Sequence, residues 1–221
     1  MSLLQPAAVT VDVFSALIDS RRGGTAALGR LGAERGWTVD PGDLYDAWDG
    51  ENKRLHLTTT SYASFRTLAR QAMARAQQAC AVDSDPQADA DALLASMPTW
   101  PCWPDSLAGL EALSARHRVA LLSNIDDDLL AGAAVTSAVE IAITSEQARA
   151  YKPHAALYRH AEQQLGSPLL HVASSARDVR GALEAGLAVV RLRRPGHELD
   201  PHGPLPPLEA DDLSSVAGLV R

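Results

Sequence analysis

Four polar clusters fall just past runs of residues that favour buried strands, and their residue types suit nucleophilic chemistry on a carboxylate. Asp12 follows Val9, Thr10 and Val11. Ser123 and Asn124 close VALLSN (119–124), Lys152 sits in YKP, and Ser174 and Ser175 lie shortly before Asp178. An attacking carboxylate needs a cation to offset its charge and hydroxyl or amide donors to orient the reacting group. A second acid then steadies the cation or positions water. A buried, unpaired carboxylate is costly, so Asp12 is expected near the carboxyl end of its strand, beside partners or water.

Each residue also has an ordinary reading. Asp12 would serve as a turn or capping residue, Lys152 as a solvated side chain, and Ser123, Asn124 and Asp178 as helix-start residues that satisfy backbone N–H groups. The clusters weigh more together than singly, because the ends of parallel strands converge on one crevice.

The elements that would bring them there are legible in the periodicity. Ala7 to Val13 reads as a strand covered on both faces, rich in β-branched residues. Beyond residue 105 the pattern alternates: helix 105–116, strand 119–124, helix 126–134, strand EIAITS (140–145), helix 154–165, strand LLHVAS (169–174), helix 178–185 and strand AVVRL (188–192). Such alternation predicts an α/β fold, a parallel sheet with helices on both faces. The tail from Arg193 is rich in Pro and Gly, with one short helix or strand near its end.

Between these parts the period is helical. SFRTLARQAMARAQQA (64–79) carries an amphipathic stripe that Ser61 or Ser64 would cap, and helical character runs almost throughout from Leu44 to Ala81. MPTWPCWPD (97–105) ends the helical segment, because closely spaced prolines stop a helix and extend the chain. The expected organisation is a core of residues 1–19 and 98–221 interrupted by an all-helical insertion over 20–97.

Composition bounds the function. The chain has 221 residues and a formal net charge of −7, which repels a phosphate backbone, so nucleic-acid binding is not expected. No apolar run approaches the roughly 20 residues needed to span a bilayer. MSLLQPAA lacks the basic start and long apolar stretch of a secretory signal, so the cytoplasm is the expected compartment. Two isolated cysteines, Cys80 and Cys102, make neither a disulfide framework nor a zinc site.

The four clusters and their order resemble the haloacid dehalogenase (HAD) superfamily, and within it the 2-haloacid dehalogenase type. DVFSALIDS resembles its first motif, LLSN its second, YKP its third and SSARDVRGALEAGL its fourth. The resemblance implies a Rossmann-like parallel-sheet core with a helical cap that shields the active site from bulk solvent. It also implies a small-molecule substrate and hydrolysis through a covalent aspartyl intermediate. Asp12 would be the nucleophile, Lys152 would neutralise it or the leaving charge, and Asp178 would orient Lys152 or activate water. Ser123 and Asn124 would hold the substrate's anionic group, and Phe14, Ser174 and Ser175 would also line the substrate.

Phe14 stands where phosphatases of the superfamily carry a general acid, and a halide leaves without a proton. This favours carbon–halogen bond hydrolysis, for which no cofactor is expected. A Mg²⁺-dependent phosphatase is the alternative, with Asp12 and Asp178 as the metal's carboxylates. A non-catalytic binding protein is a third reading, motivated by Ser15-Ala16 where the dehalogenases usually carry Gly-Thr. The resemblance leaves open a homodimer formed through cap surfaces.

Overall fold

The computed structural model describes residues 5–220; Met1–Leu4, at the head of the stretch read as lacking a secretory signal, and Arg221 lie outside the described residues. In chain order the elements are β1 (Ala8–Val11), α1 (Ser20–Arg35), α2 (Pro41–Thr58), α3 (Phe65–Ala79), α4 (Pro86–Ala95), α5 (Ser106–Ser114), β2 (Val119–Ser123) and α6 (Asp127–Ala131). They continue with β3 (Ile141–Thr144), α7 (Ser145–Ala148), α8 (Ala155–Leu165), β4 (Leu169–Ala173), α9 (Ala176–Glu184), β5 (Ala188–Leu192), β6 (Leu208–Ala210) and α10 (Leu213–Ala217). Two compact units result.

The first unit comprises the chain through Ile18, Cys102–Asn124 and the chain from Ala134 onward. Its sheet has six strands among the described residues, in the order β3-β2-β1-β4-β5-β6, all pairs parallel. β1, β2 and β4 are buried along their whole length, which explains their near-continuous apolar sequence. Of the polar exceptions, Thr10, Ser123 and His171, the first and last are register partners on β1 and β4. One face packs Ala8, Ala120, Leu122 and Leu169 against Leu157, Tyr158, Ala161 and Leu165 of α8 and Val179 and Ala182 of α9. β1 lies between β2 and β4 and ends at Val11, so Asp12 emerges in the middle of the sheet's carboxyl edge.

The second unit comprises Asp19–Pro101 and Ile125–Ala133. α2 and α3 pack through Leu44, Trp48, Leu68 and Ala72, all buried, and the Trp48 indole N–H donates to Ala69 O (3.1 Å). Gly23 and Gly24 let Trp100 and Tyr45 lie directly on α1, since a Cβ would meet those rings at 2.4 and 2.1 Å. Ile125–Ala133, read from sequence as part of the sheet-bearing unit, clusters here for an identifiable reason. The buried Asp126 carboxylate accepts the Phe65 and Arg66 N–H groups (2.7 and 2.9 Å), satisfying donors that the start of α3 leaves without helical partners. Ser64 caps the same helix by accepting from Thr67 N–H. The helical stretch expected from 44 to 81 breaks between Thr58 and Phe65, where Thr59 Oγ1 donates to Ser61 O (2.6 Å), and Ser64, one of the two expected caps, starts α3. No helix of the described residues is long and apolar enough to cross a membrane.

Candidate active site

Asp12 is fixed by its own backbone, whose N–H donates to Val172 O of β4 (2.9 Å). Its side chain is buried and meets Lys152 on one oxygen and Ser15 on the other. Lys152 Nζ donates to Asp12 Oδ1 (2.5 Å), Asp178 Oδ2 (2.6 Å) and Leu122 O (2.8 Å), so all three of its N–H bonds have acceptors. Ser15 Oγ donates to Asp12 Oδ2 (3.1 Å). The acid of β1, the lysine of the loop before α8 and the acid of α9 thus meet in one buried cluster.

Local structure explains this convergence. Asp178 lies in the first turn of α9, where acids are favoured by the helix's exposed N–H groups, and Ser175 caps that turn by accepting from Asp178 N–H (3.4 Å). Gly181, one turn later, lets α9 lie against Pro153; a Cβ there would meet Pro153 Cβ at 2.4 Å and its Cα at 2.8 Å. That close approach sets Asp178 beside Lys152.

Two further buried groups complete the cluster, and the sequence reading assigned neither to it. Tyr158 Oη donates to Asp178 Oδ1 (2.6 Å), and His171 Nε2 faces the same oxygen (3.1 Å). His171 Nδ1 lies 2.8 Å from Thr10 Oγ1. His171 is a packing residue with both ring nitrogens engaged. Tyr158 was legible only as one aromatic in the apolar stripe of α8.

The electrostatics separate the two acids. Burial opposes ionisation of Asp178, but Lys152 and His171 outweigh it and hold the carboxyl well below the usual carboxylate range. With donors on both oxygens, Asp178 is a permanent counter-ion to Lys152 rather than a base for water. Burial raises the Asp12 carboxyl above its ordinary range; Lys152 opposes that rise and Asp178 adds to it. Burial works against the Lys152 ammonium, yet Asp12 and Asp178 together raise its pKa. Tyr158 is pushed up by burial and then by Asp178, so it stays a donor.

The expected substrate-holding residues divide. Ser123 and Ser174 stand two positions past Leu121 and Val172, the two partners of Val11, and so flank the extension of β1 at one level. Both are fully buried, and neither hydroxyl has a hydrogen-bond partner among the described residues. An orphaned buried hydroxyl costs about 1–3 kcal/mol, so both are ready to take a ligand's polar group. Asn124 does otherwise: its Nδ2 donates to Lys152 O (3.0 Å) and its Oδ1 accepts from Lys152 N–H (2.7 Å). It shapes the lysine's loop instead of holding an anion. Ser175 acts as the α9 cap, and Phe14, half-buried in the turn after Asp12, bridges to Ile18.

The carboxylates do not make a magnesium site as arranged. The Lys152 ammonium lies between Asp12 Oδ1 and Asp178 Oδ2, where a bridging cation would sit, and the remaining oxygens meet Ser15, Tyr158 and His171. Among the described residues no group of three or more His, Cys, Asp or Glu side chains is disposed to hold a metal ion.

A doubly covered parallel sheet, an inserted helical unit and an Asp–Lys–Asp cluster at the strand ends define a recognisable class. No protein-family model matches the chain. It is 31% identical over 126 residues to haloacetate dehalogenase H-2 of Moraxella sp., covering 53% of this chain and 56% of that protein. It is 32% identical over 144 residues to the (S)-2-haloacid dehalogenase of Xanthobacter autotrophicus, covering 62% and 56%. The chain thus spans about half the length of the curated relatives it matches. The structure of L-2-haloacid dehalogenase from Xanthobacter autotrophicus with chloropropionic acid covalently bound superposes with a TM-score of 0.82 at 22% identity, covering 96% of this chain and 97% of that one. The chain thus shares its fold with L-2-haloacid dehalogenase and, over part of its length, sequence similarity with haloacid dehalogenases.

Proposed function

We propose that the protein is a hydrolase that cleaves the carbon–halogen bond of a small 2-haloacid through an ester on Asp12, without a cofactor. The observation that carries this reading is the buried Asp12–Lys152–Asp178 cluster at the carboxyl edge of β1, with Phe14 in place of an acid two residues on. In the first step Asp12 Oδ2 attacks the carbon bearing the halogen, and the carbon–halogen bond breaks with its electron pair leaving on the halide. In the second, water attacks Cγ of Asp12 and releases a 2-hydroxy acid. Lys152, fixed on Oδ1, offsets the charge that develops there during hydrolysis. Ser123 and Ser174 offer donors to the substrate's carboxylate, and Asn124 and Ser175 support the loops that carry the site.

The phosphatase alternative lacks two supports: a leaving-group acid near Asp12 and a carboxylate pair open to Mg²⁺. A cytoplasmic location belongs to this proposal and is supported by two thiols that form no disulfide. Pairing of two copies rests on the resemblance alone. The test is a panel of 2-haloacids and phosphate esters, with Mg²⁺ or with a chelator. Halide release that is indifferent to chelator and abolished in Asp12→Asn is expected. Metal-dependent phosphate release, or unchanged turnover in Asp12→Asn, would overturn the reading.

A further inference from the structure

The turn after Asp12 is held more tightly than a connection requires. Ser15 has φ 79°, a left-handed backbone that crowds the Cβ of any residue but glycine. Such a conformation persists where the surroundings over-determine it. Here Ser15 N–H donates to Ile18 O (3.1 Å), and the Trp103 indole N–H donates to Ser15 O (3.0 Å). Arg194 Nε donates to Ala16 O (2.9 Å), while Trp103 N–H (3.0 Å) and Ser106 Oγ (2.7 Å) both donate to Leu17 O. Arg194 is locked in turn: its guanidinium grips Asp105 at 2.7 and 2.9 Å and lies 5.3 Å from the centre of the Trp103 ring.

All of this presents one side chain to Asp12. Ser15 Oγ donates to Asp12 Oδ2, the oxygen opposite the one Lys152 holds. Glycine would make the same turn without crowding, but would bring no hydroxyl.

We propose that Ser15 is a positioning residue for Asp12: its hydroxyl, presented by a left-handed turn that Trp103 and Arg194 clamp, aims Oδ2 for attack while Lys152 holds Oδ1. The proposal rests on the reading of Asp12 as nucleophile. Oδ2 has two lone pairs; one accepts from Ser15 and the other forms the new bond to carbon as halide departs. Ser15 keeps its proton throughout.

Ser15→Ala keeps the crowded Cβ and deletes the hydroxyl, whereas Ser15→Gly removes both. Steady-state halide release from 2-chloropropionate, thermal melting, and a ¹³C-detected titration of the Asp12 carboxyl are measured on both variants and wild type. Loss of one hydrogen bond to a charged group predicts a kcat lower by roughly tenfold to a hundredfold in both. KM should stay within about threefold, as expected when an interaction serves the reaction step rather than binding. Ser15→Gly should melt at or above the wild-type temperature, and the Asp12 titration should move to higher pH in both. Wild-type kcat in Ser15→Ala would overturn the proposal, as would full kcat in Ser15→Gly beside a loss in Ser15→Ala, since the backbone alone would then suffice. Should wild type release no halide, the nucleophile reading fails by itself; the titration still decides Ser15, and an unmoved Asp12 curve in both variants would overturn it.

Discussion

Replacing Lys152 with Met is the most direct probe of the cluster. The lysine's three N–H bonds go to Asp12, Asp178 and Leu122 O, and its side chain is 4% exposed beside carboxylates that are 7% and 5% exposed. Methionine matches the length and apolar stem but leaves two buried carboxylates facing each other without a cation. Breaking a buried pair by removing one partner costs about 3–5 kcal/mol. For a chain of this size that is a fall in Tm of roughly 6–20 °C near neutral pH.

The pH dependence follows from the directions of the shifts. In wild type, Asp178 lies below its ordinary pKa, so its stabilisation is present above the unfolded carboxylate value and fades as pH falls. Lys152 lies above its ordinary pKa, so its stabilisation is present below about pH 10.4 and is lost only as pH rises further. In Lys152→Met both acids are raised, so that variant loses stability as pH rises through the unfolded carboxylate range near pH 4. The gap between wild type and variant should therefore be small at pH 4 and fully open by pH 7. Adding Asp12→Asn to Lys152→Met removes one of the two facing charges and should recover part of the loss, with a coupling of about 0.5–3 kcal/mol. Calorimetry from pH 4 to 8 checks this; a Lys152→Met Tm within a degree or so of wild type at pH 7, or a gap that ignores pH, refutes the reasoning.

Two other perturbations probe the supports. Gly181→Val places side-chain carbons where Pro153 lies at 2.4–2.9 Å, so α9 must shift and carry Asp178 away from Lys152. Overpacking of this kind costs about 1–3 kcal/mol, and melting together with a roughly tenfold lower halide-release kcat is the expected outcome; a variant with wild-type kcat would uncouple the helix contact from the site. In the helical unit, Asp126→Ala removes the acceptor for Phe65 and Arg66 N–H, at about 1–2 kcal/mol for a lost cap. Hydrogen exchange should quicken first at those two amides, and unchanged protection there would count against the assignment.

Much of this arrangement was legible because it depends on local pattern. AVVRL was bounded at Ala188 and Leu192, as observed, and the other core strands differ from their expected limits by only a few residues, since the parallel ladder stops where a neighbour's pairing stops. Asp12 and Asp178 were legible because one follows a strand and the other opens a helix, and Lys152 because it stands in YKP just ahead of one. Contacts distant in sequence were not legible. Asn124 looked like an anion holder because nothing local reveals that Lys152's backbone, 28 residues on, takes its amide. Tyr158 and His171 carried no local signal of a role: both are buried, and their polar atoms converge on Asp178 across the α8–sheet interface. Ser15 carried no hint of φ 79°, because only glycine announces that backbone in a sequence. Near the end of the chain one short element was expected where two form, β6 and α10, since Asp212 caps the helix directly after the strand.

The shared lysine also bears on which substrate the cluster suits. Asp12 and Asp178 as carboxylates divide one ammonium, leaving an excess negative charge in a desolvated site; burial first, and then the Asp178 charge, raise the Asp12 carboxyl. In the proposed reaction, alkylation of Oδ2 would convert Asp12 to a neutral ester, so Lys152 and Asp178 would then balance and the first half-reaction would relieve the burial cost. A 2-haloacid brings its own charge on a carboxylate one bond from the reacting carbon, where the orphaned hydroxyls of Ser123 and Ser174 can meet it. A phosphate ester would bring its charge onto the very atom Asp12 must attack. With the ammonium already committed to two carboxylates, that charge would face the excess directly, which is the condition a bound magnesium ion ordinarily answers and this cation arrangement does not.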